Sequence, residues 1–473
     1  MTPSQTPEKK PSRTPRAAQL PDLHTVVVGG GVAGLAAALE AGEYGDTILL
    51  EASDRPGGQL RSERFPAPSG GSWLCEAAAS AFSLPAPGVS TLLATTGATR
   101  DLIPADPASR RRWIHEENGL QEVPASPLDF LRTNIVSPWA KLGLFVEPFV
   151  GNPSKDEKEE TVLQFFTRRF GAEVAKKVAQ PMVTGIFAGN ASAISADAAF
   201  PALRELETAQ GSVLLGGIRR SRKSRKAQAP RPQMHSFAEG MESLPRHFAD
   251  ALGKKALFSS PVTEIHQEKD NWIVETEGET RRCRCLILAS GARETARLLG
   301  QGSRPINTDL ARIVQEIRSA PVVMLQMGVA AETLDHWNGF GFLTHPKGGL
   351  RILGAMFESQ MFPGRAPSGH HLIRVVMGGA LKPESIDQND DTLLTTAAED
   401  VSQALQTPLT PIFSHIVRHR PGIPQYTLGH KTHMEAIAAN QPAKLGLTGW
   451  SYRGIGVNSV IADACAVARA TCS

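Results

Sequence analysis

Residues 25–28 form a short apolar run, three glycines follow, and the chain then enters "LAAALEA", made of strong helix formers. A second apolar run, "TILL", ends just before Glu51. This order predicts a buried strand, a tight turn, a helix and a parallel strand. Further along, "EETVLQFFTRRFGAEVAKKVAQPMV" repeats apolar residues at intervals of three and four, the helical period. From Ser236 the pattern returns to strands in "ALFSSPVTEI", "NWIVETEG" and "RCLILAS". Strands alternate with turns through 306–420, as in "APVVMLQMGV", "GGLRILGAMF" and "HLIRVVMGGA". The last stretch, "KLGLTGWSYRGIGVNSVIADACAVARA", predicts a strand, a glycine-rich turn and a helix.

These elements imply an α/β protein in which a Rossmann-like nucleotide domain is interleaved with other units. Segments 22–82, 235–305 and 421–473 are expected to build that domain. Residues 83–234 are expected to be mainly helical and 306–420 to form a strand-rich substrate domain. No internal repeat interrupts this order.

The opening unit carries chemistry. Gly29, Gly31 and Gly34 give G-x-G-x-x-G, and Glu51 stands twenty-two residues past the first glycine. The first glycine permits the turn, the second lets a pyrophosphate approach the backbone, and the third lets helix and strand pack closely. The helix N-terminus stabilises phosphate charge, and Glu51 accepts hydrogen bonds from ribose hydroxyls. After Glu51 the chain continues "ASDRPGGQLRS", with Arg55, Gly57 and Gly58. This second glycine pair resembles the signature of amine-oxidase-like flavoproteins and favours FAD over NAD.

Composition narrows the class. The chain has 473 residues, an apolar fraction of 41%, a charged fraction of 21% and a net charge of +3. That charge is too small to make nucleic acid the main partner. No apolar run reaches the length of a bilayer span. The first 21 residues, rich in Pro, Lys, Arg and Thr, are expected to be a disordered tail. Five cysteines make no disulfide framework. Cys283 and Cys285 alternate on one strand without partners at metal spacing, so no metal is expected. A cytoplasmic location follows. "RRSRKSRK" (219–226) reads first as a solvated loop, and otherwise as a contact for the anionic surface of the inner membrane.

"GWSYRGIGVNSVIADA" resembles the motif that closes the flavin site in the oxygen-dependent protoporphyrinogen oxidase family. "RRFGAEVAKKVAQPMVTGIFAGNASAISADAAFPALRELE", "HSFAEGMESLP", "GFGFLTH" and "RHRPGIPQYTLGH" match further landmarks in order, so the resemblance spans residues 25 to 469. It implies FAD contacts at Gly29, Gly30, Gly31, Val32, Ala33 and Gly34, then at Glu51, Ala52, Arg55, Gly57, Gly58 and Gln59. Val262 takes the adenine position, while Trp450, Ile455, Gly456 and Val457 take the isoalloxazine positions. Ala78 and Ala79 stand where the family has glycine and proline, which requires negative φ there.

For the substrate, the resemblance implies Leu343 and Leu353 around a pyrrole ring, Met377 as a further wall, and Arg112 clasping a propionate. The carbonyl of Ala188 would orient a pyrrole NH. His115, His430 and His433 do not stand out as a general base. The implied reaction is three rounds of dehydrogenation of protoporphyrinogen, with non-covalent FAD passing electrons to dioxygen and hydrogen peroxide leaving. Two alternatives stay open: a coproporphyrinogen oxidase, with Arg110 and Arg111 for the extra carboxylates, or a non-catalytic carrier of this fold. Homodimerisation is a further open option.

Overall fold

Val26, Val27 and Val28 are buried on both faces of a seven-stranded sheet, as expected for a parallel core strand. Their strand, Asp22–Val28, lies between Thr47–Leu50 and Thr280–Leu288 and runs parallel to both. Ala256–Leu257 extends one side in parallel, and Leu445–Leu447 also pairs in parallel with Thr280–Leu288. The antiparallel hairpin Val262–Glu268 and Asn271–Thr276 completes the sheet. The computed structural model describes residues 22–473 apart from 69, 118, 125–126, 152–158, 229, 303–304 and 335. The tail expected at 1–21 lies outside the described residues.

Helix Val32–Ala41 follows the first strand because its inward positions are alanines and Leu35, small enough to pack against sheet and helix together. It packs against Val457–Cys472, whose Val460, Ile461, Ala464 and Ala468 enter the same core. At about 25 cal/mol per Å² of apolar surface, burial of this kind is the dominant favourable contribution.

A second seven-stranded sheet runs in the order Phe413–Pro424, Ser319–Ala330, His370–Gly378, Gly354–Phe357, Gly341–Thr344, Trp113–Glu116, Gly119–Glu122. Alternation divides its two faces. Ile373, Val375 and Met377 pack with Val323 and Leu325 against helix Asp390–Leu405. Arg374, Val376, Val322 and Met324 face the other way, into a large cavity.

The stretch 83–234 differs from a mainly helical unit in the strands it carries: Trp113–Glu116 and Gly119–Glu122 join the second sheet, and Leu102–Pro104 pairs with Gln233–Phe237 in a small sheet of three strands. Its helices include Val162–Phe170, which opens with a capping box between Thr161 and Gln164 worth about 1 kcal/mol. Helix Gln180–Phe187 follows a π-helical segment, Ala175–Ala179, and ends at Ala188 in left-handed backbone (φ 47°). The basic run expected to be a loop is instead the second half of helix Val213–Lys226, which Ser212 caps at its N-terminus. Strong helix formers at most of its positions explain the difference.

Next to that helix the usual burial rule inverts. In Pro138–Val146 and the turn after it, Trp139 (81% exposed), Phe145 (65%) and Phe149 (85%) point outward, together with Leu142 and Val146. The buried Glu147 carboxylate accepts from the Val213 backbone N–H (2.9 Å) and so joins this apolar face to the start of the basic helix, where Leu215 and Ile218 are exposed too.

Candidate cofactor and substrate site

The glycine turn has the shape its spacing predicts. A β-carbon on Gly34 would lie 1.8 Å from the Gly29 carbonyl oxygen, so the helix can approach the strand only with glycine there. A β-carbon on Gly31 would meet nothing within 4 Å. Gly31 caps helix Val32–Ala41, whose first turn holds no acidic side chain, so its N–H groups and dipole face open space. The Gly30 N–H donates to the Glu51 carboxylate, whose other oxygen accepts from the Ser53 N–H at 2.8 Å.

Arg55 does not reach into this space. Its guanidinium donates to the carbonyls of Pro56 (3.1 Å) and Gly58 (2.9 Å), bracing the turn that carries Gly57 and Gly58. The Gly57 N–H in turn donates to the Gly30 carbonyl at 2.8 Å. Arg55 thus shapes the phosphate-facing loop, a correction to the direct contact implied by resemblance.

One continuous cavity of about 960 Å³ starts at this turn. Gly29, Gly31, Val32, Ala33, Glu51, Ala52, Gly57, Gly58, Gln59, Ala78, Ala79, Val262, Trp450, Ile455 and Val457 line it. Gly30 and Gly34 lie behind its wall, and Gly456 caps helix Val457–Cys472 between two lining residues. The open space at Gly31 and the cavity leading away from it fit the dinucleotide part of FAD.

A buried polar frame holds the segment 76–79 at the cavity wall. Gln326 donates to the carbonyl of Glu76 (2.8 Å), His419 Nε2 to that of Ala77 (2.7 Å), and Arg374 to that of Ala78. Ala78 and Ala79 both keep negative φ, as their side chains require. Behind them, Glu358 pairs with Arg374 at 2.9 Å and accepts from Ser80 at 2.5 Å. The Glu76 carboxylate accepts from Arg365 (2.7 Å), Ser62 Oγ (2.6 Å) and the Met241 N–H (2.8 Å). Burial pushes the Glu76 carboxyl above the ordinary carboxylate range, and Arg365 pulls it back. Sequence reading missed this frame, although an arginine inside the apolar run "HLIRVVM" was a signal of buried charge.

The substrate residues divide. Ala188 lines the cavity, but its carbonyl accepts from the Ala380 N–H at 2.8 Å and is therefore engaged. Leu353 packs with Ala188 and Val322 immediately behind the wall. Leu343 lies against Gly185, which lines the cavity. Met377 is corrected outright: it sits in the core on the opposite face of its strand, against the helix side of the sheet.

Arg112 is exposed and stacks on Phe340, its guanidinium carbon 4.9 Å from the ring centre. Phe340 packs in the same cluster as Met356, a cavity-lining residue, so the cation stands one layer from the cavity. Desolvation lowers the Arg112 pKa from its ordinary value. Among the described residues no carboxylate pairs with it, whereas Arg111 is bound to Glu122 at 2.9 Å.

None of the three histidines considered from sequence lines this cavity. His115 is buried in strand Trp113–Glu116, His430 Nε2 donates to the Tyr452 carbonyl at 2.7 Å while the ring stacks on Tyr426, and His433 pairs with Glu316 at 3.3 Å. His419, in "RHRPG", does line it. Elsewhere, Cys285 meets His24 and Cys472, with one ligand atom from each within 4.8 Å of the others. Sequence spacing could not bring those three together. Arg284 and Lys444 act on His24 there as nearby cations, which opposes a divalent ion.

The sequence profile of the flavin-containing amine oxidoreductases matches residues 32–470. A protoporphyrinogen oxidase of Bos taurus is 31% identical over 469 residues, covering 92% of this chain and 95% of that protein. A chloroplastic protoporphyrinogen oxidase of Oryza sativa subsp. japonica is 28% identical over 463 residues, covering 92% and 84%. Among solved structures, a protein from Exiguobacterium sp. 255-15 superposes with a TM-score of 0.76 at 20% identity, covering 96% and 99% of the two chains.

Proposed function

The chain belongs to the flavin-containing amine oxidoreductase family, and on that premise we propose that it oxidises protoporphyrinogen IX to protoporphyrin IX in haem biosynthesis. The observation that carries this reading is the single cavity that leads from the dinucleotide turn to an apolar wall of Ala188, Val322, Met324, Val376 and Ile423. Such a wall suits a puckered tetrapyrrole and offers little to a small cationic amine. FAD, when bound, supplies the two-electron acceptor, with dioxygen as final oxidant and hydrogen peroxide as product. No cysteine lines the cavity among the described residues, which supports non-covalent attachment. The intact phosphate turn argues against a non-catalytic carrier.

Within this reading Arg112 binds a propionate at the rim. A guanidinium without a carboxylate partner is available for bidentate contact, whereas Arg111 is paired with Glu122. Hydrogen bonds to a charged group contribute about 1.5–3 kcal/mol. Arg112→Ala is therefore expected to lower kcat/KM for the free acid by roughly 10- to 150-fold. Arg112→Lys should fall between it and wild type, since charge is kept and the fork is lost. A dimethyl-ester substrate should hardly distinguish the three proteins. Steady-state kinetics with protoporphyrinogen, its diester and coproporphyrinogen decide both points. Unchanged turnover of the free acid by Arg112→Ala would remove Arg112 from the site, and faster turnover of coproporphyrinogen by wild type would reassign the substrate.

The outward apolar face of Pro138–Val146, beside the basic helix Val213–Lys226, supports peripheral attachment to an anionic bilayer, where an apolar porphyrin partitions. No helix among the described residues is long and apolar enough to cross a membrane. Each basic residue near such a surface contributes about 1 kcal/mol, screened by salt. Replacing Arg219, Arg220, Arg222 and Lys223 with glutamine is expected to weaken binding to phosphatidylserine vesicles by at least roughly tenfold, with flavin content unchanged. Trp139→Ser with Phe149→Ser should remove the part of binding that survives high salt. Sedimentation that is indifferent to both sets would make this face merely solvated.

A further inference from the structure

We propose that His419 is the proton acceptor for the pyrrole N–H groups of the substrate, an assignment that rests on the porphyrinogen reading above. Six titratable residues line the large cavity: Glu51, Arg293, Glu294, Arg297, Arg374 and His419. Glu51 belongs to the dinucleotide turn, and Arg297 pairs with Glu294 at 2.5 Å while donating to the Val262 carbonyl at the adenine end. Arg293 stands beside that pair in sequence, and an arginine does not act as a base near neutral pH. Arg374 likewise only donates. His419 is the remaining group able to take a proton.

Its geometry suits the task. Nε2 lies 2.7 Å from the carbonyl oxygen of Ala77, and a carbonyl can only accept, so Nε2 carries the hydrogen. The neutral ring then presents Nδ1 as a bare lone pair. Among the described residues Nδ1 has no hydrogen-bond partner and is not a buried orphan. The ring is also kept neutral. Desolvation lowers its pKa, the Ala77 contact partly reverses this, and the nearby Arg374 guanidinium lowers it again. Arg374 comes from His370–Gly378, the next strand but one in the sheet, and is itself paired with Glu358. The adjoining strand Ser319–Ala330, between the two, contributes uncharged Val322 and Met324 to the cavity.

The step balances. Loss of hydride from a meso carbon leaves a substrate cation delocalised onto the adjoining pyrrole nitrogen. The N–H bond then breaks, its electron pair stays on nitrogen to neutralise the ring, and the proton passes to Nδ1. The imidazolium returns that proton to water, matching the one proton that reduction of dioxygen to hydrogen peroxide consumes alongside the hydride. His419 is thus a base used once per round.

His419→Gln tests this, because the glutamine amide still donates to the Ala77 carbonyl but offers no base. We expect full flavin content and an unchanged flavin absorption spectrum, with kcat for protoporphyrinogen reduced by roughly 100- to 10,000-fold. The wild-type pH profile should fall on its acid side below the ordinary imidazole pKa of about 6.5, and the variant should lack that limb. Imidazole NMR of the flavin-loaded wild type should show the Nε2–H tautomer and a titration below the ordinary value. Retained kcat with an unchanged pH profile in the variant, or an Nδ1–H tautomer in the wild type, would overturn the assignment. A wild type that oxidises no porphyrinogen would instead overturn the proposed function, and this assignment with it.

Discussion

Valine in place of Gly31 is expected to yield a folded protein that carries no flavin. The two halves of that expectation come from the same piece of geometry. A β-carbon at residue 31 meets no protein atom within 4 Å, so the fold has no reason to reject the side chain. The space it enters is where the pyrophosphate approaches the helix N-terminus, and an isopropyl group there holds the phosphate away from the N–H donors. A loss of at least a hundredfold in affinity, about 3 kcal/mol, follows. Acid precipitation should release flavin from wild type into the supernatant and none from the variant. Far-ultraviolet circular dichroism should be the same for the variant and the flavin-free wild type. Gly34→Ala should behave differently, because its β-carbon meets backbone at 1.8 Å and helix and strand must separate. A Gly31→Val protein that loads flavin normally would place the pyrophosphate elsewhere, and flavin retained in the wild-type pellet would mean covalent attachment.

The second large effect is expected on stability. Arg365 is fully buried, and its guanidinium spans the Glu76 carboxylate and Ser236 Oγ (2.6 Å). Arg365→Met keeps much of the volume and strands a buried carboxylate. Breaking such a pair from one side costs about 3–5 kcal/mol. The sign of the pH dependence follows from Glu76. Its folded carboxyl is already raised above the ordinary range, so the folded state holds the proton more tightly than the unfolded state. Without Arg365 that preference grows. The deficit should be largest at neutral pH and shrink as pH falls and Glu76 takes up a proton. Glu76→Gln combined with Arg365→Met should recover part of the loss, since no unpaired charge remains. Urea unfolding followed by tryptophan fluorescence reads these differences as midpoints. A single variant with wild-type stability at pH 7 would mean that the pair contributes nothing net.

Local signals carried the sequence reading a long way. The strand–turn–helix opening was legible because its signals are local: a continuous apolar run, a run of helix formers, and a Gly34 required by the Gly29 carbonyl five residues earlier. The closing helix was legible for the same reason. Long-range placement was not. Arg374 reaches a carbonyl 296 residues away and His419 one 342 residues away, and no periodicity records such partners. Met377 was misplaced by one step of strand alternation, which sends a side chain to the opposite face. Arg55 looked like a phosphate ligand because the motif shows its charge and not the carbonyls that occupy it. The run 219–226 looked like a loop by charge density, although its residues are good helix formers.

The nucleotide sheet draws its parallel strands from residues 22–50, 256–288 and 445–447, with helix Val457–Cys472 laid across the first helix. During synthesis, therefore, the glycine turn emerges hundreds of residues before the strand and helix that complete its domain. Until then the alanine-rich face of Val32–Ala41 lacks the side chains of Val460, Ile461, Ala464 and Ala468 that cover it. Contacts this distant along the chain slow folding and leave apolar surface open to aggregation meanwhile. Chaperone retention of the nascent chain, and a yield that depends on it more than on final stability, are the natural outcome of this interleaved order.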